Sequence, residues 1–109
     1  MIALAISAAL LTQVLRAHQE APHPAPCTHE EIAYGLPGCD CEPQSRAIVA
    51  DLATHHVFAR VLHLISAADP RHGHAVALVD ERTMLDPEQP WPVPRGRYAP
   101  LWIEAEPGQ

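Results

Sequence analysis

The sequence predicts a mainly α fold on three observations. Two long apolar segments carry helical periodicity, proline-rich stretches confine regular structure to the segments between them, and all three cysteines fall in the connection between the two helices. The expected architecture is two long helices joined by a Cys/His metal loop, followed by a Pro-rich C-terminal segment holding a short helix or an edge strand. With 109 residues the chain has room for one domain. Residues 1–85 are expected to form a single helical, zinc-stapled domain and residues 86–109 a Pro-rich extension packed on it.

The first helix is expected over Leu4 to Glu20. Leu4, Ala8, Leu11, Leu15 and His18 form one stripe, while Gln13, Arg16 and Glu20 share the opposite side. His18 continues an apolar stripe into the last turn, where it can be a core residue, a partner of the helix C-terminus or a metal ligand. Residues 21–26 alternate proline with other residues and read as a stiff, non-helical spacer. The second helix is expected from about Pro43, which suits a first helical turn, to about Ser66. One of its stripes holds Ile48, Leu52, His55, Ala59 and Leu62, yet Val57, Phe58, Val61, Leu64 and Ile65 lie elsewhere around the cylinder. Such a helix must be covered on more than one side, and a second copy of the chain is one way to do it.

The run Ala75 to Leu85 matches helical spacing through Ala75, Leu78, Val79, Arg82 and Leu85, although Val76 to Val79 also reads as a short strand; helix is the expectation. From Asp86 onward the prolines leave room for little beyond an extended segment with an edge strand between Tyr98 and Ala105. Trp91, Tyr98, Leu101, Trp102 and Ile103 are too apolar for a disordered tail and are expected to cover the second helix.

Composition excludes several function classes. The formal charge is −6 and all basic residues are Arg, with no basic run, so little is available to neutralise phosphates and nucleic acid is not the expected partner. The uncharged N-terminal stretch ends at Arg16, short of the ~20 residues needed to span a bilayer, and it lacks the basic start and cleavage site of a signal peptide. Three cysteines cannot all pair within one chain, which favours a reducing, cytoplasmic setting over a secreted disulfide framework.

Thiolate with imidazole selects zinc, and structural zinc takes four such ligands. Cys27, Cys39 and Cys41 supply three. The fourth is left open among His29 in the same loop, His18 at the end of the first helix, and His55 or His56 on the second. The C-x-C and C-x-H spacings are tighter than the usual C-x2-C half-site, and reduced cysteines without metal or a disulfide are the competing readings. His29-Glu30-Glu31 with Pro37-Gly38-Cys39-Asp40-Cys41 is similar to the zinc deaminase signature, but the second half lacks C-x-x-C and the two halves are too close. No H-E-x-x-H, P-loop or G-x-S-x-G is present. His63 reads as a helix flank and Arg71-His72-Gly73-His74 as a polar turn.

A helix ending in Ala17-His18-Gln19, a spacer, the Cys39-Asp40-Cys41 pair, then His55-His56-Val57-Phe58-Ala59-Arg60-Val61-Leu62 resembles small Cys/His proteins of unknown function from high-GC Gram-positive bacteria and their phages. The resemblance covers roughly residues 10–65 and implies His18, Cys39, Cys41 and His56 as ligands. The additional Cys27-Thr28-His29 is a departure from that pattern. The expected function is a non-enzymatic, zinc-binding accessory or regulatory protein acting on another protein, with a homodimer as one form. A small metal-dependent hydrolase or deaminase-like enzyme, or a nucleic-acid-binding zinc module, are the alternatives.

Overall fold

The computed structural model describes residues 7–20, 41–71 and 73–105. Among these residues it is a mixed α/β architecture: two helices, α1 (Ala8–Glu20) and α2 (Cys41–Thr54), precede five strands, β1 (Ala59–Ser66), β2 (Gly73–Val79), β3 (Thr83–Leu85), β4 (Val93–Pro94) and β5 (Trp102–Ala105). The strands form one antiparallel sheet in the order β4-β3-β2-β1-β5. The mainly α expectation is thereby corrected, as is the loop between two long helices on which it rested.

The helices that do form obey their local signals. Ser7 caps α1, its hydroxyl accepting the Leu10 N–H at 3.3 Å, and Leu11, Val14 and Leu15 supply the buried face. Pro43 lies in the first turn of α2, where its missing N–H costs nothing. Ser45, Ile48 and Leu52 then follow at helical spacing and are fully buried. The Ser45 hydroxyl donates to the Ala75 carbonyl at 3.1 Å and fastens α2 to the middle of the sheet.

The second helix stops twelve residues before the expected Ser66, and the backbone shows why. His56 takes a left-handed conformation (φ 60°). Its N–H donates to the Ala53 carbonyl at 3.0 Å, and the Val57 N–H donates to the Leu52 carbonyl at 3.0 Å. These two bonds make a complete Schellman motif, with His56 where glycine is usual and Val57 packed into the cluster that holds Leu52. Beyond it the chain becomes β1. From Ala59 onward the apolar residues alternate between the two faces of a strand, Ala59 toward the helices and Leu62 and Leu64 on the opposite face, while Phe58 stays exposed.

Strand β2 is buried along nearly its whole length. Its Ala77 and Val79 join Leu11, Val14, Leu15, Ile48, Leu52 and Leu85 in a core between sheet and helices. Val76 and Leu78 join Leu62, Leu64 and Met84 in a second core on the opposite face, covered by Val93, Tyr98 and Trp102. Helix is therefore the wrong expectation for residues 75–85, since β2, a turn and β3 occupy that run. The turn is closed by the Arg82 N–H donating to the Val79 carbonyl at 3.0 Å, with Asp80 and Glu81 both at positive φ. At the sheet edge, β5 lies within the range expected for an edge strand. The aromatic residues expected over the second helix divide differently: Tyr98 and Trp102 cover the sheet's other face, and Trp91 stacks on the Arg16 guanidinium of α1 at 4.5 Å.

Candidate metal centre

The period of two along β2 puts His74 on the same face as Val76 and Leu78, away from the helices. On β3 the register pairs Leu85 with Ala77, so extending it by one residue sets Asp86 opposite Val76 and diagonal to His74. The two side chains meet there, each only 3% exposed, with His74 Nε2 2.8 Å from Asp86 Oδ1. Immediately after β3 the chain turns at Pro87, and the Glu88 N–H donates to Asp86 Oδ1 at 2.8 Å. That turn brings the Glu88 carboxylate to 3.8 Å from His74 Nε2, with a third of its side chain exposed.

Tyr98, from the run of turns between β4 and β5, completes the surroundings by donating its hydroxyl to Asp86 Oδ2 at 2.8 Å. The Trp102 ring of β5 lies against the His74 imidazole, with centroids 5.9 Å apart. The imidazole is thus enclosed between an aromatic ring and a carboxylate.

Electrostatics in this enclosure reinforce pairing. Burial is the largest single influence on His74 and acts to lower its pKa, yet the Asp86 hydrogen bond and charge, aided by Glu88, outweigh it and raise the value above the ordinary 6.5. For Asp86 burial is again the largest influence and acts upward. The His74 bond, the Glu88 N–H and the Tyr98 hydroxyl overcome it, and the carboxyl titrates below its ordinary 3.8. Burial first, and then the neighbouring Asp86, push the Tyr98 phenol far above its usual range, so it stays a donor.

His74, Asp86 and Glu88 each offer one ligand atom, all within 4.8 Å of one another, and this group can coordinate a metal ion. Around an ion with bonds of ~2.1 Å, adjacent donor atoms sit ~3.0–3.4 Å apart; the two distances from His74 Nε2, 2.8 and 3.8 Å, bracket that range, and the exposed Glu88 carboxylate is the donor with room to move inward. Two donors are on buried side chains, and the third opens to solvent.

The residues expected from the sequence to bind metal lie elsewhere. Cys27, His29 and Cys39 lie outside the described residues, and Cys41 is the first residue of α2. His18 and His55 do converge, but on a carboxylate: Asp51 Oδ2 is 3.0 Å from His18 Nε2 and Asp51 Oδ1 is 3.7 Å from His55 Nε2. His56 is exposed and serves the backbone at the end of α2. His63 faces Glu42 at 3.7 Å. The resemblance to small Cys/His proteins is corrected accordingly, because the cluster assembled here is His/Asp/Glu and not Cys/His. Reading Arg71 to His74 as a polar turn hid His74. The signal that could have exposed it is its phase with Val76 and Leu78, followed by an acidic pair around Pro87 just past the next strand.

No helix among the described residues is long and apolar enough to cross a membrane. Comparisons with protein-family models, with curated proteins and with solved structures find no match.

Proposed function

We propose that this domain binds one divalent metal ion, zinc in the first instance, through His74, Asp86 and Glu88, and serves as a non-enzymatic accessory protein that engages another protein. The convergence of three ligand atoms within 4.8 Å, two of them on buried side chains, is the observation that carries the reading. One imidazole and two carboxylates suit zinc better than magnesium or calcium, which prefer all-oxygen shells. The ion would tie β2 to the segment that follows β3, replacing the proton now shared by His74 and Asp86. Engagement of another protein is supported by the exposed Leu101 and Ile103 beside and within the outer strand β5.

The donor count favours a second reading. Three protein ligands leave room for a bound water, the arrangement of hydrolytic zinc sites. Glu88, at the exposed side of the cluster, is where such a water would enter.

Native mass spectrometry and cobalt substitution test the site. One equivalent of metal is expected, with a cobalt spectrum lacking thiolate charge transfer. Glu88→Gln should weaken binding at least ~10-fold while leaving the fold intact, because its side chain lies at the open rim. A chain that takes up no zinc or cobalt sinks the proposal, and so does binding that Glu88→Gln and Asp86→Asn both leave untouched. Turnover of an activated ester or phosphoester that depends on added metal would favour the second reading.

A further inference from the structure

The face of the sheet turned away from the helices also carries a cleft of about 450 Å³. None of the three candidate metal ligands lines it, so a guest in the cleft does not compete for the donor atoms of the metal centre. Leu64, Met84, Tyr98, Pro100, Trp102 and Glu104 lie among its walls. Its volume falls within the ~300–1,000 Å³ of pockets that enclose small organic ligands, which are commonly apolar with a few placed polar groups.

Both aromatic rings are held from behind. Tyr98 is anchored by its hydroxyl to Asp86, and Trp102 lies against His74. Neither ring must reorganise to meet a flat guest, and stacked rings gain ~0.5–1.5 kcal/mol beyond the area they bury.

Glu104 is the only charged residue lining the cleft among the described residues. Its carboxylate is gripped by Arg95, whose terminal nitrogen lies 2.8 Å from Oε1 and whose Nε lies 3.1 Å from Oε2. An ionised carboxylate has about four acceptor sites, so Arg95 leaves capacity for a donor from a ligand. Because Arg95 also compensates the charge, a cation gains little there, whereas a neutral N–H donor is matched. We propose that the cleft binds a small, flat, neutral aromatic molecule bearing an N–H donor, stacked against Tyr98 and Trp102 and hydrogen-bonded to the Glu104 carboxylate.

Calorimetric titration of the full chain with indole, and with 1-benzothiophene, which carries sulfur where indole carries N–H, tests the proposal. One indole per chain is expected, bound at least ~10-fold tighter than 1-benzothiophene, the step that one hydrogen bond to a charged acceptor supplies. Glu104→Met should bring the two probes to equal affinity. Ala99→Phe, which adds a ring at a residue lining the cleft, should weaken indole binding at least ~10-fold in a chain whose circular dichroism is unchanged. If that variant does not fold, Ile103→Trp on the exposed rim is read the same way. Failure of the folded wild-type chain to bind indole saturably, equal wild-type affinities for the two probes, or undiminished binding in a folded cleft-filling variant would each overturn it.

Discussion

At the scale of single residues, His74 and Asp86 stabilise each other's charged form at a cost in desolvation, so their contribution depends on pH. A histidine whose folded pKa is raised contributes stability that is fully present below 6.5 and is lost as pH rises through the folded value. An aspartate whose folded pKa is lowered contributes stability that is present above 3.8 and is lost as pH falls through the folded value. The chelator-treated protein should therefore be most stable between about pH 4 and pH 6.5. Denaturant titrations across pH would check this, with His74→Phe expected to flatten the alkaline decline and a wild-type curve that keeps rising above pH 7 counting against the pairing. Neither partner was legible as a pair in the sequence. They are 12 residues apart, and only the β2–β3 register sets them diagonally opposite.

Two elements end on residues that carry a conformational cost. His56 closes α2 in a left-handed conformation that disfavours any residue with a Cβ. Replacing it with glycine should raise the unfolding free energy by about 0.5–1 kcal/mol, measured in urea; a destabilised variant would mean that the imidazole contributes more than the backbone geometry suggests. The β2–β3 turn places Asp80 and Glu81 at positive φ, where Asn-Gly is the favoured pair. There the strain is offset by charge, because Glu81 accepts two bonds from Arg60, at 2.7 and 2.9 Å, and the Arg60 guanidinium holds its carboxyl below the usual range. Glu81→Gly removes both strain and ion pairs. Its stability relative to wild type should improve as salt is raised to ~1 M, since screening weakens the pairs but leaves the strain; an unchanged difference would place the balance elsewhere. The helix ending at Thr54 was not legible because its stop signal is a histidine, with neither glycine nor proline to announce it.

For the whole molecule, β2 is the common wall of two cores, one shared with α1 and α2 and the other with the loops before β5. Leu78→Ala, at a fully buried position on that strand, should cost about 2–5 kcal/mol, seen as a lower denaturation midpoint with an unchanged slope; a loss below ~1 kcal/mol would show that the second core collapses around the gap. The sequence by itself determined what local chemistry dictates: an amphipathic first helix ending at Glu20, a second helix beginning near Pro43 and the placement of an edge strand between Tyr98 and Ala105. It also called for cover on more than one side of the apolar residues from Val57 to Ile65, although not for a particular kind of element, and Phe58 stays exposed. The tertiary structure alone decided that Ala59 to Ser66 form a strand inside a sheet, because covered helix and covered strand leave the same apolar run and differ only in what pairs alongside. It also decided that the clustered donors are His74, Asp86 and Glu88, since strand register, a property of two segments together, brings their side chains to one place.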